Sequence, residues 1–491
     1  MYERILENYV EQLYQNQNMG ACPSQMNLTS RKEYYEMIKP VIEALQLKKD
    51  ASIEELRTYL FEQSGIENKI KEFVYGRQIT PGLVLSYGTT NYTETLTIGN
   101  AQEVNMEKGK LVEQIEPIDK TSIFDLASIT KTFTSLSILK LASLGMLDLN
   151  DEAVKYAPQF SQLKGVTIFD ALTFRVPLGT SQRVDTAGSR EEAESRLFAM
   201  EVVEKTMANR RRLYSDMGAM VLKYVIENVS GLTYYDFLKN YILNEIGLED
   251  IYVQVPQEKM GRVVTTNYGI TCYNDGNISI QTNAYKGVAN DPKAIILEQE
   301  KGNLSGHAGL FASATDMSKL AISLIKGQLL PNSYVANIGK NQTGEVVSIK
   351  NNEKLYSQYL GLLTYSKHPI PEDSEVFHPL SGKTFASAGF TGTHLTVDSI
   401  NQVYSFLGAC KTHNRVMRID PAQRDKVQVQ ENGKQTILLP NGEEKIASYR
   451  YAWIKDEYTV KPALTLSLQY KILEDLFSYQ NEIPKQNIKK L

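Results

Sequence analysis

The run ITKTFTSLSILKLASLG, which follows Ser128 and stops at Gly145, carries apolar residues nearly all the way round a helix. Such a helix belongs at the centre of a protein, enclosed on every side, and the glycine is a natural C-terminal stop. The rest of the chain supplies the layers that would enclose it. On the N-terminal side, GLVLSYG and ETLTIGN read as strands around the turn-rich GTTNYT, and on the C-terminal side THLTVD and VYSFLGACKTH read as an antiparallel pair. Helical periodicities fill the middle: GAMVLKYVIENVSG, TYYDFLKNYILNEIGL with Thr233 as its cap, and SATDMSKLAISLIKG. Strands near both ends with helices between them predict an α/β architecture. One mixed, mainly antiparallel sheet would draw on both ends of the chain, flanked by helices and carrying a helical lobe.

The flanks divide the chain further. Residues 1–75 read as a polar, helical extension packed on the main body, with the capping box SIEE placing Ser52 at a helix start. Residues 76–491 would form the main domain, with the helical lobe at about 150–330. A long polar stretch at 255–305 has the character of a functional loop or lid. The Asn-Gly turns in ENGK and PNGEE predict an inserted β-hairpin region at about 414–460, before a final helix, PALTLSLQYKILEDLFSY.

Composition narrows the function classes. The 491 residues carry 53 basic against 57 acidic side chains, which gives no long-range attraction to nucleic acid or anionic membranes. No stretch approaches the roughly 18 uninterrupted apolar residues of a membrane span. The opening MYERILENYVEQLYQN lacks the basic and apolar regions of a signal peptide. Three widely spaced cysteines fit a reduced, cytoplasmic setting better than a disulfide framework. The five histidines show no metal-ligand spacing, so no metal is expected from them.

Candidate chemistry begins at Ser128 in LASITKTFT. A serine hydroxyl needs a neighbouring base to become a nucleophile, and Lys131, three residues on, shares its helix face. The helix N-terminus would favour an alkoxide and lower the lysine pKa. The spacing alone is not specific, since it recurs at Ser137–Lys140, Ser161–Lys164 and Ser323–Lys326; an ordinary polar first turn is the competing reading. In RRLYSDMGAMVLKYVIE, Tyr214 stands just before a helix, where a phenol can relay a proton, and Asp216 is equally a candidate N-cap. In FASAGFTGTHLTVD, Gly389 and Gly392 stand at the mouth of a strand. Glycine there permits close backbone approach, and a backbone N–H beside that of Ser128 could hold an oxyanion. The alternative is a turn.

Taken in order, FDLASITKTFTSLSILKLASLGMLDLND, YSDMGAMVLKYVIENVSGLTYYDFL, GHAGLFASATDMSKL and AGFTGTHLTVD resemble the penicillin-binding-protein and class C β-lactamase superfamily of serine hydrolases, from about residue 80 to 412. The resemblance implies Ser128 as acylated nucleophile, Lys131 as its base and Tyr214 as second acid/base. Asp216 stands at the place of an Asn or Asp, and the N–H groups of Ser128 and Phe390 would form the oxyanion hole. It also implies the β-lactamase/transpeptidase-like fold without a cofactor. The sequence departs from the pattern at Ser387-Ala388-Gly389, where Lys-Thr-Gly or His-Thr-Gly is usual. The missing cation counts against β-lactamase or D,D-peptidase activity on carboxylate-bearing substrates. Arg175, in LTFRVPLG, could supply a cation if it faced the cleft; a surface position is the alternative. The expected activity is hydrolysis of an ester, amide or small peptide. A binding or regulatory module with degraded catalysis is the competing function, and oligomeric state is not readable.

Overall fold

The computed structural model describes residues 2–482 apart from 20–27, 108–109, 204–213, 268–269, 273–277, 280–285, 345, 351–352, 357, 414–415, 420–426, 430–434, 439–441, 443 and 447–456. Its centre is a seven-stranded antiparallel sheet. The N-terminal strands are β1 (Gly82–Thr89), β2 (Thr93–Glu107) and β3 (Lys110–Pro117). A short strand, β4 (Ile123–Asp125), pairs outside this sheet with β5 (Phe311–Ser313). The C-terminal strands are β6 (Tyr365–Ser366), β7 (Phe385–Ala388), β8 (His394–Asp398) and β9 (Val403–Ala409). The order across the large sheet is β6-β7-β8-β9-β1-β2-β3. The two ends of the chain meet where β1 pairs with β9, Leu83 opposite Ala409 and Thr89 opposite Val403.

Every residue of β1 is buried because both faces of the sheet are covered. Its period of two still sorts the side chains. Leu83, Leu85 and Tyr87 join an outer core, whereas Val84 joins the inner core of the helical lobe. The outer layer consists of α1 (Tyr2–Asn16), α2 (Arg31–Leu47) and α3 (Ile53–Ser64), together with the last helix, here α7 (Val460–Glu482). The N-terminal helices thus share one core with the C-terminal helix and the sheet. Arg57 of α3 pairs with Glu474 of α7 at 2.9 Å, and Thr89 of β1 donates to the same carboxylate at 2.7 Å. Both α2 and α3 start at complete capping boxes, Ser30–Glu33 and Ser52–Glu55.

The inner layer holds α4 (Thr130–Ser143), α5 (Met217–Ser230) and α6 (Ala314–Ile325). As its composition requires, α4 is buried on all sides from Thr130 to Leu139. Gly145, at φ +70°, supports the left-handed turn that follows it. In the 414–460 region the strands Val427–Val429, Gln435–Leu438 and Glu444–Ile446 form a three-stranded antiparallel meander, and a fourth, Val416–Ile419, pairs in parallel with Ile270–Cys272. The ENGK turn itself, Cys22 and the C-terminal tail lie outside the described residues.

Candidate active site

Ser128 sits in a single 3-10 turn, Ala127–Ile129, between the end of β4 and the start of α4. It is half-buried in a run whose other members, Ser122 to Thr130, are all buried. Its neighbour Ala127 is held at φ +44°, a left-handed conformation that costs a non-glycine residue roughly 1–2 kcal/mol. Asp125 offsets that cost, because its Oδ1 accepts the Ala127 N–H at 2.8 Å and its Oδ2 accepts the Asn290 N–H at 2.7 Å. Burial pushes the Asp125 carboxyl up to about 6, against the lowering effect of those two hydrogen bonds.

Lys131 is fully buried one helical turn on, and its ammonium has three acceptors for its three protons. They are Ser128 Oγ at 2.9 Å, the His307 carbonyl at 3.0 Å and Asp216 Oδ1 at 2.8 Å. Burial alone would lower its pKa; Asp216 and the Tyr214 hydroxyl outweigh that and hold it above the ordinary lysine value. This reverses the expectation from the helix N-terminus, since a full carboxylate charge at 2.8 Å exceeds a partial helix charge. In none of the other three serine–lysine spacings does the lysine bond the serine among the described residues. Lys140 pairs with Glu245, Lys164 and Lys326 are exposed, and Ser323 donates to the Leu320 carbonyl.

Tyr214 stacks with two rings, its centroid 5.2 Å from Phe174 at an interplanar angle of 26° and 5.2 Å from Tyr365 of β6 at 4°, and the Lys131 ammonium lies 5.0 Å from its centroid. Its N–H donates to Gln358 Oε1 at 2.9 Å. Phe174 reaches the stack because it ends a short helix, Ile168–Thr173, at φ +59°. The next residue, Arg175, is exposed. Asp216 occupies the N-cap position of α5 but caps nothing with its side chain. Instead it lies between two ammoniums, Lys131 on Oδ1 and Lys293 on Oδ2 at 3.1 Å. Burial alone would raise its carboxyl pKa, but Lys131, the nearby His307 and Lys293 together hold it far below the usual range.

The turn after β7 closes against the serine loop from the other side. Thr391 Oγ1 donates to the Asp125 carbonyl at 2.8 Å and Thr393 Oγ1 to the Leu126 carbonyl at 3.2 Å. A Cβ at Gly389 would stand 2.0 Å from Thr393 Oγ1 and 2.7 Å from the Leu126 carbonyl oxygen, so only glycine fits. The N–H of Gly389 is used within the turn, donating to the Thr393 carbonyl at 2.8 Å. Those of Ser128 and Phe390 reach no protein acceptor among the described residues. Ser387 is buried on the β7 face that it shares with Phe385 of the inner core, and it brings no charge there.

Sequence reasoning missed the parts delivered by the 255–305 stretch and by GHAG. Asp291 caps the short helix Pro292–Leu297, a pattern legible in NDPK, and also pairs with Lys293 and with His307 Nε2, each at 3.1 Å. Ligand atoms of Asp216, Asp291 and His307 lie within 4.8 Å of one another. Lys131 and Lys293 already neutralise the two carboxylates, so the cluster is an ion-pair network with no charge left for a metal. Among the described residues no helix is long and apolar enough to cross a membrane.

Residues 90–427, more than half of the chain, match the Beta-lactamase family model. A provisionally named D-alanyl-D-alanine carboxypeptidase of Salmonella typhi is 24% identical over 334 residues, covering 61% of this chain and 72% of its own. A protein of the same name from Escherichia coli K12 is 24% identical over 372 residues, covering 71% and 79%. Among solved structures, the octameric penicillin-binding protein homologue from Pyrococcus abyssi superposes with a TM-score of 0.50 at 20% identity, covering 70% of this chain and 73% of its own. A simvastatin synthase mutant from Aspergillus terreus gives 0.51 at 16% identity, covering 73% and 93%. Four ordered motifs, the antiparallel sheet with its helical lobe, and a match across most of the chain agree: the protein belongs to the β-lactamase family.

Proposed function

We propose that the chain is a serine hydrolase that forms an acyl-enzyme on Ser128, with an ester, an amide or a small peptide as substrate. The observation that carries this reading is the Lys131 ammonium 2.9 Å from Ser128 Oγ, fixed by two further acceptors. Once the Lys131–Tyr214 pair has released one proton to solvent, Ser128 Oγ attacks the acyl carbon and its proton passes to that pair. The carbonyl oxygen gains charge between the N–H groups of Ser128 and Phe390. Tyr214 then gives the proton to the leaving oxygen or nitrogen as the acyl bond breaks, and water releases the acyl group by the reverse relay. Asp216 keeps Lys131 aimed at the serine. Stacking against Phe174 and Tyr365 restrains the Tyr214 ring, which limits the reorganisation needed in the transition state.

The substrate preference follows from charge. Ser387 brings no cation to the strand that borders the serine, and Arg175 is exposed, which favours substrates without an obligatory carboxylate. The name shared by the curated relatives favours peptides ending in D-alanyl-D-alanine. Both classes therefore belong in the test. Intact mass after incubation with a fluorophosphonate should show one adduct that Ser128→Ala lacks. Ester and D-alanyl-D-alanine peptide turnover should then be compared, with the ester the faster. Absence of an adduct on folded protein would favour a binding module instead.

A further inference from the structure

Five side chains beneath Ser128 close into a ring. Lys131 donates to Asp216 at 2.8 Å; Asp216 meets Lys293 at 3.1 Å; Lys293 meets Asp291 at 3.1 Å; Asp291 meets His307 at 3.1 Å. The carbonyl of His307 then accepts from Lys131 at 3.0 Å, completing the circuit. Two ammoniums alternate with two carboxylates, so the ring is neutral when the imidazole is neutral. Lys293 has no place in the relay proposed above, yet it is largely buried, at 17% side-chain exposure, and it contacts both carboxylates.

Building on the acyl-enzyme reading, we propose that Lys293 is a positioning residue: by sharing Asp216 with Lys131, it limits how tightly Asp216 holds the proton of Lys131 and so sets the pH at which Ser128 becomes reactive. The physical reason is direct. Lys131 must be able to give up a proton before it can take one from Ser128. Asp216 opposes that by favouring the charged lysine, and a second cation on the same carboxylate opposes Asp216. Without Lys293, two carboxylates would face a single ammonium. The remaining charged or titratable groups facing this pair are Ser128, Tyr214 and His307 around Lys131. Asp291 faces Lys293, and Asp185, itself paired with Arg183, feels the charge of Lys293 from the turn Val184–Thr186. Asp125 lies beyond Asp291. His307 also acts on Asp216, its ring lying within 4.8 Å of that carboxylate, whereas Lys293 contacts both carboxylates directly.

The test is the pH dependence of the second-order rate of fluorophosphonate labelling, which needs no natural substrate. In the wild type the rate should rise to a plateau with pH. In Lys293→Met the midpoint should move up by about one to two pH units, the scale expected for two like charges sharing a carboxylate at a partly buried site. Lys293→Arg should keep the wild-type midpoint, and Asp216→Asn should lower it. Asp216→Asn combined with Lys293→Met should bring it back toward the wild type, which a purely structural defect would not do. An unchanged midpoint in Lys293→Met overturns the proposal; should that variant not fold, an unchanged midpoint in Asp216→Asn does so. If the wild type is not labelled at Ser128 at any pH, the acyl-enzyme reading itself fails, a different result from labelling whose pH midpoint ignores Lys293.

Discussion

Replacing Gly389 with alanine tests whether backbone geometry at the end of β7 matters to the chemistry. The added methyl would lie 2.0 Å from Thr393 Oγ1 and 2.7 Å from the Leu126 carbonyl oxygen. Side-chain rotation of Thr393 could relieve the first contact only by breaking its hydrogen bond to Leu126. The second contact is with backbone, so the strand end and the serine loop must separate. The displacement required is about 1 Å, and a misplacement of that size near reacting atoms costs on the order of 100-fold in rate. Overpacking of this kind also costs roughly 1–3 kcal/mol of stability. We expect fluorophosphonate labelling of Gly389→Ala to slow by about 100-fold or more, with a cooperative unfolding transition retained at reduced denaturant midpoint. Thr393→Ala in the same background should recover stability more than rate, because the Leu126 contact persists. Wild-type labelling by Gly389→Ala would refute the reasoning, since it would mean that the Phe390 N–H need not be held against Ser128.

Two further outcomes follow from the structure. Tyr214→Phe keeps the ring stacked with Phe174 and Tyr365; turnover of an ester substrate should fall by about 100- to 10,000-fold while thermal unfolding stays close to the wild type. Lys367 is buried with its ammonium on the Leu380 carbonyl at 2.8 Å, and burial pushes it down to about 7. Between pH 7 and the ordinary lysine value the unfolded chain binds the proton and the folded chain does not. Unfolding free energy should therefore rise with pH across that window, by up to about 1.4 kcal/mol per unit from this group, and the penalty should be greatest below pH 7. Denaturant titrations at pH 7 and 9.5 should show that rise, with a smaller one in Lys367→Met.

The sequence by itself determined the local elements and the family. The apolar circumference of α4 required a central helix, the apolar runs of β1 and β9 marked strands, and the SIEE box marked the start of α3. Each signal is carried by residues within a few positions of one another, where helix and strand periodicity and capping act. The order of four motifs then singled out Ser128 among four serines with the same spacing. Tertiary structure decided what these residues face. Asp216 reads equally well as a helix cap, and only the approach of Lys131 and Lys293, from segments far apart in the chain, makes it the hub of a charge network. The direction of the Lys131 shift was likewise hidden, because it depends on which of burial, a carboxylate or a helix terminus lies nearest, and distances are set by packing. The polar 255–305 stretch shows the same limit. Its composition marks it as a loop, but the delivery of Asn290, Asp291 and Lys293 beneath the serine is fixed by Asp125 and His307, two buried partners that no local pattern connects to it.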